Sequence, residues 1–568
     1  MVWRSFLKKD YDILTILSPK PYSPFMRYYI HSLLLLCLPF LAVAQVNFVS
    51  TNLPIVKLTT ESGEEVTQEK NPALLEIIHN DTGNRNLVSS PANEYSGNCG
   101  LKLRGESSLT FAKKSYSLEM WDENNEDIDT SFLGFPAEED FILYGPFSDK
   151  TLMNNVIVMD LARELGQYAS RTQYVELMVN GDYRGIYVLM ERIKRDKDRV
   201  DIAKLRPEDI SGDELTGGYI FRIDKGEHPG WTSEYTPFGG SRPIFYQYYY
   251  PEEDDLMPEQ AEYIESYMHS FESAAMSPDH VDDQGLHYTH YMNLRSLVDH
   301  FILSELSKNV DAYRLSTYFH KKKDSNGGKL HMGPIWDYNL SLGNADFCTT
   351  DDHRGWLYYE CVGNSPAWWD SFFMDPLFQS AAHCRYQELR ETILSEENMM
   401  DRVNNYLFLL AEPQVRNFQR WDILGQYIWP NSDFFAQAQT HRDAVTLLSD
   451  WIRNRLWWMD NNFFGAAEGC ERFEDPDFEV GTVSVDDRQE GALLLFPNPI
   501  TVGELLTIRS ATPLSAVSIT DVAGQILNHH DITSLTSYSL VPPVMPGTYF
   551  VHAVSDTGTT SHIRVIVQ

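Results

Sequence analysis

The sequence predicts an α+β chain that ends in a small, separate all-β domain. Three observations carry that expectation. The first third alternates short β-branched and aromatic runs with turn formers, the middle switches to apolar residues at helical spacing, and the composition changes again after Gly465. At 568 residues the chain is too long for one core and predicts roughly two to four domains.

The elements follow in order. Leu53–Leu58 and Leu74–Ile78 have strand composition bounded by turn formers, and Cys99–Gly105 leads into the bend Gly105-Glu106-Ser107-Ser108. Lys113–Glu119 alternates as a further strand. Ser148-Asp149 offers cap chemistry for a helix with Leu152, Val156, Leu161 and Leu165 on one stripe, stopping at Gly166. Tyr174–Val179 and Tyr183–Met190 flank Asn180-Gly181-Asp182, a strong hairpin signal, and Gly217–Asp224 reads as another strand. From Pro258 to Leu410 the pattern is mostly helical, with Asn293 capping a helix that runs to Leu306, and a last helix spans Ala444 to Met459.

The ends of the chain and its charge set further bounds. Met26 to Gln45 reads as a secretory signal: Arg27, a short apolar run from Leu33 to Leu41, then Ala42-Val43-Ala44 as the cleavage site. Residues 1–25 are then an upstream extension or a mis-assigned start, and the mature chain begins near Gln45, exported and without a transmembrane anchor. With 81 Asp+Glu against 46 Lys+Arg the net charge is −35, which disfavours nucleic acid and anionic membranes and favours divalent cations. Once Cys37 leaves with the signal, five cysteines remain, so at least one thiol is free if the others pair. Cys348 and Cys361 enclose a short polar loop and form the favoured pair, with Cys384–Cys470 as a second pairing. No Cys/His pattern suggests structural zinc.

Ser307–Asn344 is the most informative stretch. Asp311 and Asp337 flank an expected hairpin made of Tyr318–Lys321, the turn Asp324–Gly328, and Lys329–Met332. Carboxylates on either side of a hairpin can converge, one to orient an attacking hydroxyl and one to hold a metal on phosphates. Each could equally cap a turn. Upstream, Arg104-Gly105-Glu106-Ser107-Ser108 can bring small residues and backbone N–H groups near phosphate oxygens, Lys113 or Lys114 can pair phosphates, and Glu191 can hold such a lysine.

These residues carry a resemblance. From about Leu53 to Asp460 the chain resembles the CotH kinase family in its secreted bacterial form. The matching runs are Leu103–Ser108, Lys113–Tyr116, Ser148–Asn155, Asn180–Tyr187, Glu191–Asp196, Gly217–Ile220, and Asn309, Asp311, Arg314 with Gly333–Asn339. The resemblance implies an atypical protein-kinase-like domain that transfers phosphate from ATP to protein Ser/Thr hydroxyls with Mg²⁺ or Mn²⁺. It implies Asp311 as the catalytic aspartate, Asp337 as the metal-binding aspartate, and Lys114 with Glu191 as the nucleotide lysine and its partner. Arg104, Ser107 and Ser108 join the nucleotide site and Asn339 the metal site. Two departures stand out: Ser316 occupies the position where ordinary kinases place a metal-binding Asn, and there is no G-x-G-x-x-G loop. Asn309 or Asn339 is the candidate replacement ligand. The alternative on the same fold is an inactive surface protein that binds a partner without turnover.

The tail also resembles a known module. Phe496–Pro499, Ile519–Gln525, Pro546–Val551 and Ile563–Val567 are similar to a C-terminal sorting domain of type IX secretion, of β-sandwich form. That resemblance implies the type IX machinery as a partner and release or attachment at the cell surface. An immunoglobulin-like adhesion module is the other reading. The expected layout is therefore 1–44 extension and signal, 45–470 kinase-like domain, 471–492 acidic linker and 493–568 sorting domain. The tryptophan runs (Trp368-Trp369, Trp421 with Trp429, Trp457-Trp458) are expected in the core rather than on a carbohydrate platform. Trp121–Asp129 lacks the glycine and terminal glutamate of an EF-hand and is expected to be a solvated hairpin tip.

Overall fold

The computed structural model describes residues 46–480 and 493–567, apart from 81–82, 238–239, 241, 362–364, 468, 497–499, 522–524, 543–544 and 559. The expected signal peptide, the second half of the expected linker, and the sorting-motif residues 497–499 and 522–524 lie outside the described residues.

Seven strands close into a barrel: β1 (Ile55–Thr60), β2 (Asn71–Ile78), β3 (Tyr95–Arg104), β4 (Ser115–Trp121), β5 (Asp140–Tyr144), β6 (Thr172–Val179) and β7 (Asp182–Glu191). Their order is β1-β2-β3-β4-β5-β7-β6. Neighbours are antiparallel except at the closure, where β1 runs parallel to β6 with Leu58 opposite Val179. The two-residue alternation of each strand turns one apolar set inward: Val56, Leu58, Leu75, Leu101, Leu118 and Phe141 fill the barrel. Each such side chain removed from water contributes about 1.5–3 kcal/mol. The β6–β7 hairpin turns at Asn180 and Gly181, both at positive φ (51° and 78°), as an Asn-Gly turn requires.

A second antiparallel sheet holds β8 (Tyr219–Ile223), β9 (Gly230–Thr232), β10 (Phe245–Tyr250), β11 (Thr317–Lys321) and β12 (Leu330–Met332), in the order β9-β10-β8-β11-β12. The hairpin expected between the two aspartates is β11–β12, with Phe319 opposite Met332. One apolar core joins this sheet to α1 (Asn154–Glu164), α2 (Pro258–Met276), α3 (Leu294–Ser307), α4 (Pro376–Arg390), α5 (Glu396–Leu410), α6 (Pro413–Arg420) and α7 (His441–Asn462), with α6 seated on barrel strand β7, where Asn417 Oδ1 accepts from Ile186 N. Asn293 caps α3 as expected, accepting from Ser296 N at 2.9 Å. The helix expected to open at Ser148-Asp149 starts later, at Asn154, because Leu152 adopts a left-handed φ of 65°. Asp149 instead clamps that turn, its carboxylate accepting from Thr151 N and Asn154 N.

Both expected disulfides form, with Cα–Cα separations of 5.2 Å for Cys348–Cys361 and 5.5 Å for Cys384–Cys470, and Cys99 is a buried free thiol. Trp368 and Trp369 lie fully inside the core, whereas Trp429 and Trp457 depart from the core expectation at 51% and 64% exposure. The expected linker does not begin at Glu471, because residues 471–480 dock on the helical part through Asn293, Arg295 and Lys329. No described helix is long and apolar enough to cross a membrane.

The tail is all β, with β13 (Leu493–Phe496), β14 (Leu506–Thr520), β15 (Ile526–Leu540), β16 (Gly547–Ser555) and β17 (Thr560–Val567). The long β14 pairs with β13, β15 and β16, and β16 pairs with β17, all antiparallel. Among the described residues this pairing links the five strands into one hydrogen-bonded network, which does not by itself show the expected sandwich.

Candidate active site

A cleft of about 950 Å³ opens where barrel strands β3, β4 and β7 face the second sheet and the end of α3. Asp311, Asp337, Asn339, Arg104, Ser107 and Ser108 all line it, as does Ser316.

The segment carrying Asp311 is tightly held. α3 ends at Lys308 in a left-handed conformation (φ 44°), and its buried ammonium is satisfied by the carbonyls of Thr349, Asp352 and Arg354 and by Glu360 at 2.7 Å. Tyr313 and Ser316 also take positive φ, 70° and 49°, conformations that cost a non-glycine residue energy and persist where the surroundings impose them. Tyr313 OH donates to Glu305 at 2.9 Å, and Glu305 also accepts from Leu357 N and Tyr358 N beside Arg455. Asp311 itself is 7% exposed and lies 3.3 Å from Arg314 Nη2. Burial pushes its carboxyl up, Lys225 and Arg314 oppose that, and Asp224 adds to it.

Asp337 arrives from the other side of the hairpin, after β12 and Gly333–Trp336, at a left-handed φ of 62°. The turn is pinned by Tyr338 N donating to Asn155 Oδ1 at 3.0 Å and by Val310 N donating to Leu340 O, which ties the two aspartate loops together. One face of Asp337 is open to the cleft, while protein packed around its depth pushes the carboxyl up to about 6. The Asp311 charge adds to that push and Arg104 opposes it. Arg104, at the end of β3, lies over the Trp336 ring at 5.5 Å. Gly105 follows at φ 109°, where a Cβ would stand 1.9 Å from Ser108 Oγ, so the bend bearing Ser107 and Ser108 needs glycine there.

Two expected members are elsewhere. Lys114 Nζ donates to Leu109 O at 2.6 Å, and neither it nor Glu191 lines the cleft. Glu191 is fully buried with Arg171 at 2.6 Å and Arg199 at 3.7 Å. The expected lysine–glutamate pair is therefore not formed. Strand parity is the cause: Ser115, Ser117 and Glu119 of β4 and Met190 at the end of β7, with Arg192 just beyond, point into the cleft, so Lys114 and Glu191 point away. Lys113 is also engaged, donating to Ile186 O and Asn417 Oδ1. Asn309 is buried, and its Oδ1 meets no hydrogen-bond partner among the described residues.

The structure adds residues that the sequence reading left unassigned. Asp224 and Lys225, at the end of β8, line the cleft together with Arg192 and Arg222. Asp224 contributes to the upward shift of both other aspartates. Its one legible signal was position, a carboxylate that closes the expected strand Gly217–Asp224. The three aspartates do not crowd into one coordination sphere: among the described residues, the cluster with three ligand atoms within 4.8 Å is Asp129, Glu138 and Glu139. Lys194 reaches that cluster, 3.1 Å from Glu138.

Barrel, second sheet and the aspartates between them define a mixed helix-and-strand protein with a cleft lined by carboxylates and cations alike. The family model described as CotH kinase protein matches residues 101–459, more than half of the chain, and the chain belongs to that family. No curated protein matches. Among solved structures, the twitchin kinase region from C. elegans (Fn31-NL-kin-CRD-Ig26) aligns over 92% of this chain and 99% of that one, at 10% identity and a TM-score of 0.14. A score that low carries no argument about the fold.

Proposed function

We propose that this cleft transfers the γ-phosphoryl group of ATP to a Ser/Thr hydroxyl of a protein acceptor. The observation that carries the reading is that Asp311 and Asp337, on loops hydrogen-bonded to each other, face one cleft beside Arg104. Asp311 orients the acceptor hydroxyl and takes its proton as the new O–P bond forms, and the β–γ bridge breaks to release ADP. Arg104 presents a fixed guanidinium to the phosphates, with Ser107 and Ser108 beside it.

The residues present fit a divalent cation. Asp337, Asp224 and Asn339 offer the hard oxygen donors that Mg²⁺ and Mn²⁺ take, and the Asp311 and Asp224 charges add to the upward push on Asp337, a repulsion that a cation relieves. Bound there, the metal would neutralise charge on the β- and γ-phosphates.

The exported location and the type IX route through residues 493–568 belong to the same proposal and rest on the signal-like and tail motifs. One observation favours the second reading, a nucleotide-binding or scaffolding protein without turnover: the lysine–glutamate pair is absent from the cleft. Radiolabel transfer from ATP with Mn²⁺, to the chain itself or to casein, tests the proposal. Wild type is expected to transfer label and Asp311→Ala to lose it with an unchanged melting temperature. Transfer by Asp311→Ala at the wild-type rate would sink the assignment. A thermal shift with ATP and Mn²⁺ but no transfer by wild type would favour the second reading.

A further inference from the structure

We propose that Cys470–Val480 is a positioning strap for Asp311 and Asp337 and not the start of a flexible linker. The proposal rests on the phosphotransfer reading above.

The strap is tethered to α4 by the Cys384–Cys470 disulfide. Beyond that tether its carbonyls accept from two fixed elements. Arg295 Nη2 donates to Phe473 O at 3.0 Å, Asn293 Nδ2 to Pro476 O at 2.9 Å, and Lys329 Nζ to Asp477 O at 3.1 Å and Phe478 O at 3.3 Å. The Glu479 carboxylate lies 3.3 Å from Lys329 Nζ and 2.8 Å from His290 Nδ1. Val480 N donates to Thr289 Oγ1 at 3.0 Å, and the rings of Phe473 and Phe478 meet edge to face with centroids 5.3 Å apart. Of its acidic side chains, Glu479 meets two basic groups and Asp477 accepts from Asn293, while backbone groups and the two rings make the remaining contacts.

The partners of the strap decide its role. Asn293 caps α3, whose far end delivers Asp311, and Lys329 immediately precedes β12, which leads to Asp337. The same ends are joined directly, because Asn293 N donates to Leu330 O at 2.8 Å and Met332 N to Ser296 Oγ at 3.1 Å. The strap thus closes a clamp over the shared end of the two elements that carry the site. Lys329 is 6% exposed, so the strap's carbonyls and Glu479 stand in for the water its ammonium has lost. Removing either side of this contact leaves polar groups of the other without a partner and frees the hairpin end from the strap. Movement there changes the relation of Asp337 to Asp311, while Arg104, Ser107 and Ser108 stay on the barrel.

The test uses the full chain in three forms: a Cys384→Ser/Cys470→Ser double variant, Lys329→Met, and Lys329→Arg as the rescue. In the first two, amide hydrogen exchange over residues 330–340 is expected to rise. Their kcat for phosphate transfer is expected to fall roughly tenfold, with KM for ATP within about twofold of wild type. Lys329→Arg, which keeps a donor for the same carbonyls, is expected to restore both. A lower melting temperature with exchange at 330–340 and kcat unchanged below the transition would overturn the proposal, as would faster exchange confined to the strap. If wild type transfers no phosphate, the reading of the cleft fails, and the exchange measurement still decides the strap.

Discussion

Glu272 offers a sharp test of how the interior of this protein treats charge. It lies on α2 at 2% exposure and accepts from Ser233 Oγ at 2.9 Å and Tyr246 OH at 2.8 Å, with no cation among its hydrogen-bond partners in the described residues. Burial pushes its carboxyl from 4.5 up to about 7, against the pull of those two hydroxyls. The sign follows from the direction of the shift. A carboxyl that holds its proton more tightly when folded supports the fold in acid and loses that support as pH rises from about 4.5 through about 7. The difference of about 2.5 pH units corresponds to roughly 3 kcal/mol of destabilisation once the group is ionised. Glu272→Gln keeps the acceptor oxygen and removes the charge. It is expected to raise the melting temperature at pH 8 by roughly 3 °C, because in a domain of several hundred residues 1 kcal/mol moves the transition by about 1 °C. At pH 5 the two proteins are expected to melt together. Differential scanning calorimetry at both pH values makes the comparison, and an equal shift at pH 5 and pH 8, or a loss at pH 8, would refute the reasoning.

Two further predictions separate roles that strand parity assigned. Arg104→Ala is expected to weaken ATP binding about tenfold in a calorimetric titration, the loss of one charge-assisted contact, whereas Lys114→Ala is expected to stay within about twofold. The reverse ranking would return the nucleotide cation to β4. Arg455→Met is expected to cost about 3–5 kcal/mol in denaturant unfolding, because it leaves buried Glu305 without its 3.4 Å cation and strips donors from the carbonyls of His353, Gly355 and Glu305. A loss under 1 kcal/mol would mean that Tyr313 and the two backbone donors hold Glu305 without the cation.

Much of the fold was legible. The Asn-Gly hairpin, the capped helix before Asp311 and the hairpin between the aspartates all rest on local chemistry of a few adjacent residues, and all three appear. The helix after Asp149 was misplaced because a cap residue and a turn clamp share one chemistry, and only the left-handed Leu152 separates them. The acidic stretch from Glu471 was misread for a related reason: composition does not reveal a carbonyl partner such as Lys329, more than a hundred residues away in sequence.

At the site the division is sharper. The sequence by itself placed Asp311 just after a capped helix and put Asp311 and Asp337 on either side of one hairpin. It could not determine which cation faces them. Lys114 and Arg104 sit on neighbouring strands, and side chains on a strand alternate faces at every residue, so one step of register decides between cleft and barrel. Only the tertiary structure settled that register, turning Lys114 and Glu191 away from the cleft and Arg104 toward it, and bringing Asp224 from a third strand to the same cleft.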